Sequence, residues 1–185
     1  MKMLTWILAP LFCMTLGAAS NAQAQAPPEH RTISQVLDFW VTETEQLVVP
    51  AAEAMPEAKY SFAPSNGEFK GVRTFGEQVK HLAAANYQLG AMILGENPPP
   101  GTANETAPAS IQTKAEILEY AKGSFALLHR AAAAIIEKNL NDPLPVKGNR
   151  TRLWLLIDVV AHSSNHYGQM VEYLRLNGIV PPASR

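Results

Sequence analysis

The chain has 185 residues, of which 47% are hydrophobic, and this length suits one domain that buries a core without disulfides. The formal net charge of -1 argues against a protein that binds nucleic acid or an anionic membrane surface through bulk charge. The single cysteine, Cys13, excludes an intramolecular disulfide and any multi-cysteine metal site, so any chemistry must come from histidines, carboxylates and hydroxyls.

The first 24 residues have the pattern of a secretory signal peptide. Lys2 provides a positive start, an apolar run follows, and the Ala-Gln-Ala of residues 22–24 is a small-x-small cleavage pattern. We therefore expect residues 1–24 to be removed on export, which leaves residues 25–185 as a periplasmic or secreted domain with no attachment to the membrane. A retained N-terminal anchor is the alternative. Cleavage also removes Cys13, so the exported domain contains no cysteine.

Three segments of the remaining chain begin with a capping box, in which a threonine and a Glu or Gln three residues later satisfy each other's free backbone amides. The pairs are Thr32 with Gln35, Thr74 with Glu77, and Thr113 with Glu116. Apolar residues at helical spacing follow each pair, so each pair predicts the start of an amphipathic helix. Pro50 is expected to kink or end the first helix, although the residues after it could continue it. His129, in the third helix, is predicted to lie on the helix surface.

A fourth helix is predicted from about residue 152 to residue 177, ending at Gly178 before two prolines. Four helices of about 20 residues, each roughly 30 Å long, predict an all-α fold, a four-helix bundle. Residues 95–112 are proline-rich and, at about 3.3 Å per residue, long enough to travel the length of the bundle. We expect a long crossover between helices 2 and 3, which would allow these two helices to run parallel.

Two histidines of the fourth helix, His162 and His166, are four residues apart and therefore share one face. That face is otherwise mostly apolar, and a buried imidazole is costly unless both ring nitrogens find partners. A divalent metal satisfies one nitrogen of each ring, as in helical zinc sites with this spacing. His81, beside an apolar face of the second helix, is the best candidate for a third ligand. Three neutral ligands with open positions are typical of a catalytic metal site, although the same spacing also occurs without a metal.

Other polar residues of the fourth helix are candidates for supporting roles. Asp158, one turn before His162, could accept a hydrogen bond from its second ring nitrogen or act as a base. Tyr167 and Gln169 could orient a substrate or a water molecule. All three are equally consistent with ordinary structural roles. Ser163 stands where the HExxH motif has its glutamate, so this is not the helix of a zinc protease.

Four stretches of the sequence carry a resemblance to a known family. They are KYSFAP at 59–64, RTFGEQVKH at 73–81, the segment 158–175 that contains HSSNHYGQ, and NGIVPP at 177–182. In these stretches the chain resembles the DinB-like family of damage-inducible, metal-binding four-helix bundles. The resemblance covers nearly all of residues 25–185, and the two histidine motifs occur in the expected order and helices.

The resemblance implies a bundle with a crossover between its second and third helices. It implies a divalent metal, commonly nickel or zinc, held by His81, His162 and His166. It also makes a homodimer an expected assembly. Characterised relatives include thiol-dependent S-transferases and isomerases, and others are described as metal-dependent hydrolases.

Together these observations predict an exported metal-dependent hydrolase of a small-molecule substrate, in which the metal lowers the pKa of a water molecule and polarises a carbonyl. A metal-dependent thiol S-transferase is one alternative, although low-molecular-weight thiols are chiefly cytosolic. A non-catalytic metal-binding or interaction protein is the other. Nucleic-acid binding is not expected, because the chain has neither a basic net charge nor a basic stripe.

Overall fold

The computed structural model describes residues 30–65, 71–146 and 148–185. Its long helices are α1 (Ile33–Ala54), α2 (Phe75–Leu94), α3 (Lys114–Ala133) and α4 (Arg152–Leu176). Within the described ranges, β-structure is limited to an isolated bridge between Pro143 and Thr151, so the predicted all-α fold is confirmed. No helix in these ranges is both long enough and apolar enough to cross a membrane. The predicted signal peptide, residues 1–24, lies outside the described residues.

Local sequence signals determine where the helices begin and end. The predicted capping boxes of α1, α2 and α3 are all formed, each with both of its reciprocal hydrogen bonds. α1 continues through Pro50, because the residues that follow it, Ala51 and Ala52, are fully buried against the bundle. α2 ends at Gly95, whose positive φ of 71° is a conformation that glycine adopts without strain.

Contacts along α2 and α3 show that these helices run in the same direction. The Cα of Gly76, near the start of α2, faces Ile117, near the start of α3. Gly90, in the last third of α2, faces Leu127, in the last third of α3. Two parallel neighbouring helices need a connection that returns along the bundle, so residues 95–113 form the predicted crossover.

α4 packs against α2 in the opposite direction. Near the start of α2, the side-chain amide of Gln78 donates to Gln169, near the end of α4. In the middle of both helices, Ser163 donates to the side-chain oxygen of Asn86 at 3.0 Å. Asn86 in turn donates to Ser124 of α3 at 3.2 Å. One buried polar network therefore links three helices and fixes their register within an otherwise apolar core. The largest fully buried side chains of that core include Phe75, Leu82, Phe125, Leu128, Leu155, Leu156, Met170 and Leu174.

One surface formed by α1 and α4 exposes large apolar side chains. Trp40 is 55% exposed and Ile157 is 56% exposed, and they border a shallow apolar pocket of about 210 Å³. Exposed apolar clusters are common at protein interfaces. The homodimer that the resemblance implies stays a prediction.

His129 lies at the surface of α3, with its side chain 31% exposed, and it also joins α3 to α1 through two carboxylates. Its Nδ1 lies 2.6 Å from Asp38 and its Nε2 lies 3.0 Å from Glu45. Partial burial of the ring opposes protonation, but the hydrogen bonds to Asp38 and Glu45 outweigh it and raise the pKa of His129. When it is protonated, the ring can donate to both carboxylates and so clamps the two helices together.

We predict that this clamp weakens as the pH rises. Because the folded-state pKa of His129 is raised, its contribution is complete below the unfolded-state pKa of about 6.5 and disappears as the pH passes the folded-state pKa. Between about pH 6 and about pH 8.5, the wild type should lose more unfolding free energy than His129→Gln, by at most about 1 kcal/mol because solvent screens the pair. Urea denaturation of both metal-free proteins measures the difference, and equal losses would contradict the prediction.

Candidate metal centre

Three histidines meet between α2 and α4, as the sequence predicted. His81 projects from α2, and His162 and His166 project from successive turns of α4. One ligand atom from each ring lies within 4.8 Å of the other two, and the ring centroids are 4.5 to 5.1 Å apart. His81 and His166 are buried and His162 is half-buried. The structure thus places three imidazoles where a single cation could contact all of them.

The donor atoms fit a divalent metal. The Nε2 atoms of His162 and His166 are 3.1 Å apart. Two nitrogen ligands at about 2.1 Å from one metal are separated by roughly 3.0 to 3.4 Å, so this spacing suits a shared cation. The Nδ1 atoms of both rings are buried, and neither has a hydrogen-bond partner in the described part of the chain. A metal on the Nε2 atoms would leave these Nδ1 atoms without a partner among the described residues, so the fit to a metal rests on the spacing of the Nε2 atoms.

His81 is oriented by the crossover. Its Nδ1 lies 3.0 Å from the backbone carbonyl oxygen of Glu105. A carbonyl only accepts hydrogen bonds, so we assign the ring proton to Nδ1, which leaves a lone pair on Nε2. This is the arrangement by which protein groups commonly orient a metal-binding histidine.

The surroundings keep the rings of α4 uncharged. Burial, together with His162, His81 and the positive charge of Arg73, lowers the pKa of His166 to about 4. Burial and His81 also lower the pKa of His162, against the opposing charges of Glu105 and Asp158. Metal ligation requires neutral imidazoles, so both rings are ready to bind at neutral pH without first losing a proton.

The three supporting candidates on α4 occupy different surroundings. Asp158 acts on His162 through its charge, but it does not hold the Nδ1 of that ring, which has no partner among the described residues. Gln169 accepts a hydrogen bond from Gln78 of α2. Tyr167 packs, partly buried, against the apolar core. The roles proposed for these residues towards a substrate stay predictions.

Sequence reasoning missed Glu105, which belongs to the crossover. Its carboxylate oxygen Oε2 lies 3.5 Å from Nε2 of His81, in addition to the contact made by its backbone carbonyl. The contact joins residues 24 positions apart, so no helical periodicity could reveal it. The one available signal was that Glu105 is the only charged residue between positions 97 and 112.

The crossover is attached to α2 on both sides of Glu105. On one side the side-chain amide of Gln88 donates to the backbone carbonyl of Thr102, a residue only 2% exposed. On the other side Lys80 donates to the carbonyl of Ile111 at 3.3 Å. The position of Glu105 relative to His81 is therefore set by packing on α2.

A cleft of about 460 Å³ opens beside the histidines. Its lining includes His81, Glu105, Arg73, Lys80 and Glu77. The carboxylate of Glu77 accepts hydrogen bonds within the α2 capping box, and these lower its pKa. Arg73, Lys80 and Glu105 are the other charged side chains in the described lining. A small molecule in this cleft would meet the histidine cluster through His81.

Comparisons with known proteins support the fold. A family model described as the DinB superfamily matches residues 40–170, a range that contains all three histidines and Glu105. The chain is also similar to a solved structure, the crystal structure of a conserved protein from Enterococcus faecalis, with a TM-score of 0.65 and 17% identity over 80% of this chain and 98% of that one. At this identity the similarity concerns the fold alone. No curated protein sequence matches the chain.

We predict that His166 titrates far below an ordinary histidine in the metal-free protein. Its ring signals in an NMR titration should have a midpoint near 4, because burial disfavours the imidazolium. By linkage, the contribution of this histidine to stability falls as the pH decreases from about 6.5 towards that value, since only the unfolded chain binds the proton. A midpoint near 6.5 would mean that the ring is solvated and not held in the buried cluster.

Proposed function

This chain belongs to the DinB superfamily, and from that premise we propose that it is a metal-dependent hydrolase of a small-molecule substrate. The observation that carries the proposal is the convergence of His81, His162 and His166 beside an open cleft. Three imidazole ligands with room for further ligands are typical of catalytic rather than structural metal sites. Nickel and zinc are the proposed metals, since both accept imidazole ligands.

The protein contributes binding, orientation and proton transfer to this reaction. His81, His162 and His166 would hold a divalent metal, which would supply a water molecule of lowered pKa and polarise a substrate carbonyl. The antiparallel packing of α2 and α4 holds the ligand rings, and burial keeps the rings of His162 and His166 uncharged. Asp158 and Glu105 are the carboxylates whose charges reach His162, so the proton acceptor is expected among these two.

The cleft indicates what kind of substrate the site admits. Its volume of about 460 Å³ suits a small molecule. Arg73 and Lys80 both line it, and the charge of Arg73 reaches His162 and His166. We therefore expect a substrate with an anionic group that contacts these cations while its hydrolysable bond faces the histidines.

The central prediction is that the protein binds one metal ion per chain and that the histidines of α4 hold it. Substituting His162→Ala or His166→Ala should abolish stoichiometric metal while circular dichroism shows a retained helical fold, since the apolar core does not depend on the site. Metal analysis should use protein without a histidine tag. His129→Gln is the matched control, because His129 lies between α1 and α3 and should leave the metal content unchanged.

The histidine variants and a cobalt-substituted protein together distinguish the alternative functions. Global unfolding of the histidine variants would indicate a structural metal and a non-catalytic protein. Perturbation of the visible spectrum of the cobalt-substituted protein by added thiols would favour the thiol S-transferase. Wild-type protein without metal would contradict both enzymatic functions.

We also propose that the chain is exported to the periplasm or beyond and that residues 1–24 act as a cleaved signal peptide. The support is the positive start, the apolar run and the Ala-Gln-Ala of residues 22–24. When the full chain is expressed in a bacterial host, N-terminal sequencing of the exported protein should begin at Gln25. A chain that still begins at Met1 in the membrane fraction would indicate an anchor instead.

A further inference from the structure

We propose that Glu105 is a fourth protein ligand of the metal centre, a carboxylate supplied by the crossover, and that the metal keeps at least one further position for a water molecule or a substrate. The inference rests on the proposed metal binding by the three histidines. It assigns Glu105 to the metal and leaves Asp158 as the carboxylate available to accept a proton.

The contacts between Glu105 and His81 require a positive charge between them. The Nδ1–H of His81 donates a hydrogen bond to the carbonyl oxygen of Glu105, which leaves Nε2 as an acceptor. The carboxylate oxygen of the same residue lies 3.5 Å from that Nε2 and is also an acceptor. Two acceptors at this distance repel each other unless a cation or a second proton lies between them. A separation of roughly 3.0 to 3.4 Å is expected for two neighbouring ligands of one metal, so a small movement of the carboxylate would complete the contact.

A carboxylate ligand also balances the charge of the metal. Three neutral imidazoles leave both positive charges of a divalent metal uncompensated. A carboxylate ligand reduces this charge in a partly buried site, where an uncompensated charge is costly.

Hydrogen bonds fix the backbone of the crossover around Glu105, whereas the side chain of Glu105 is partly exposed and can change its rotamer. Glu105 has a φ of 55°, which residues other than glycine seldom adopt. A hydrogen bond of 2.7 Å from Thr106 to the carbonyl of Ala103 stabilises this short turn, and Gln88 anchors it to α2. The carboxylate itself is 47% exposed, so it can turn towards the histidines without moving the loop. Metal binding should therefore tighten the attachment of the crossover to α2.

Two variants at one position test the proposal. Glu105→Gln keeps the size and the backbone preference of the residue, and Glu105→Ala removes the ligand. Both should still bind one Co²⁺ per chain through the histidines, but with an affinity more than about 100-fold weaker in chelator competition, beyond the loss expected for a group that only orients a ligand, and with an altered visible spectrum. A smaller loss with an unchanged spectrum would mean that Glu105 only orients His81. Glu119→Gln, at an exposed position of α3, is the control for the loss of one charge and should bind as the wild type does.

Hydrogen exchange provides a second readout. Added Zn²⁺ should slow exchange in residues 97–112 of the wild type and have a much smaller effect in Glu105→Gln, whose loop lacks the carboxylate. Wild-type affinity, spectrum and protection in both variants would overturn the proposal. If His162→Ala also loses metal in that case, the histidine centre stands and only the assignment of Glu105 fails. If the wild-type protein binds no Co²⁺, the proposed function and this inference both fail.

Discussion

The convergence of three imidazoles between α2 and α4, two of them buried, is the constraint on which the interpretation of this structure depends. An apolar bundle of this size could be completed with aliphatic side chains at these positions at lower cost. Instead, His166 is buried so well that its pKa falls to about 4, and the buried Nδ1 atoms of His162 and His166 have no partner in the described ranges. A divalent cation at the facing Nε2 atoms, as we propose, would give each ring one strong partner, although the Nδ1 atoms of His162 and His166 would still be donors without a partner among the described residues.

The topology of the bundle determines what else surrounds the histidines. Because α2 and α3 run parallel, the chain must return along the bundle between them, and that return passes His81. The crossover then orients His81 through the backbone of Glu105 and brings a carboxylate to the open side of the cluster. It also forms one wall of the cleft through which a small molecule can approach. The long proline-rich connection is therefore part of the site and more than a linker.

Much of this arrangement could be predicted from the sequence because it depends on local spacing. Capping boxes mark the starts of three helices, and the interval of four residues puts His162 and His166 on one face. His81 could be chosen because it lies beside the apolar face of its helix. The length of residues 95–112 was sufficient to predict a crossover, although not its path.

What could not be predicted depends on contacts between distant residues. Glu105 lies in a loop without periodicity, and only the docking of that loop on α2 brings it to His81. His129 was expected on the helix surface, but its contacts with Asp38 and Glu45 could not be predicted because these partners are on another helix. The pairing of Gln169 with Gln78 likewise depends on the register of α4 against α2. These three contacts arise from packing geometry that composition and spacing do not specify.

The most direct measurement is the anomalous difference density of a crystal of the metal-loaded protein. The account predicts a single strong peak within bonding distance of the Nε2 atoms of His81, His162 and His166, about 2.1 Å from each. A peak at other residues, or no peak between α2 and α4 in protein shown to contain metal, would contradict it.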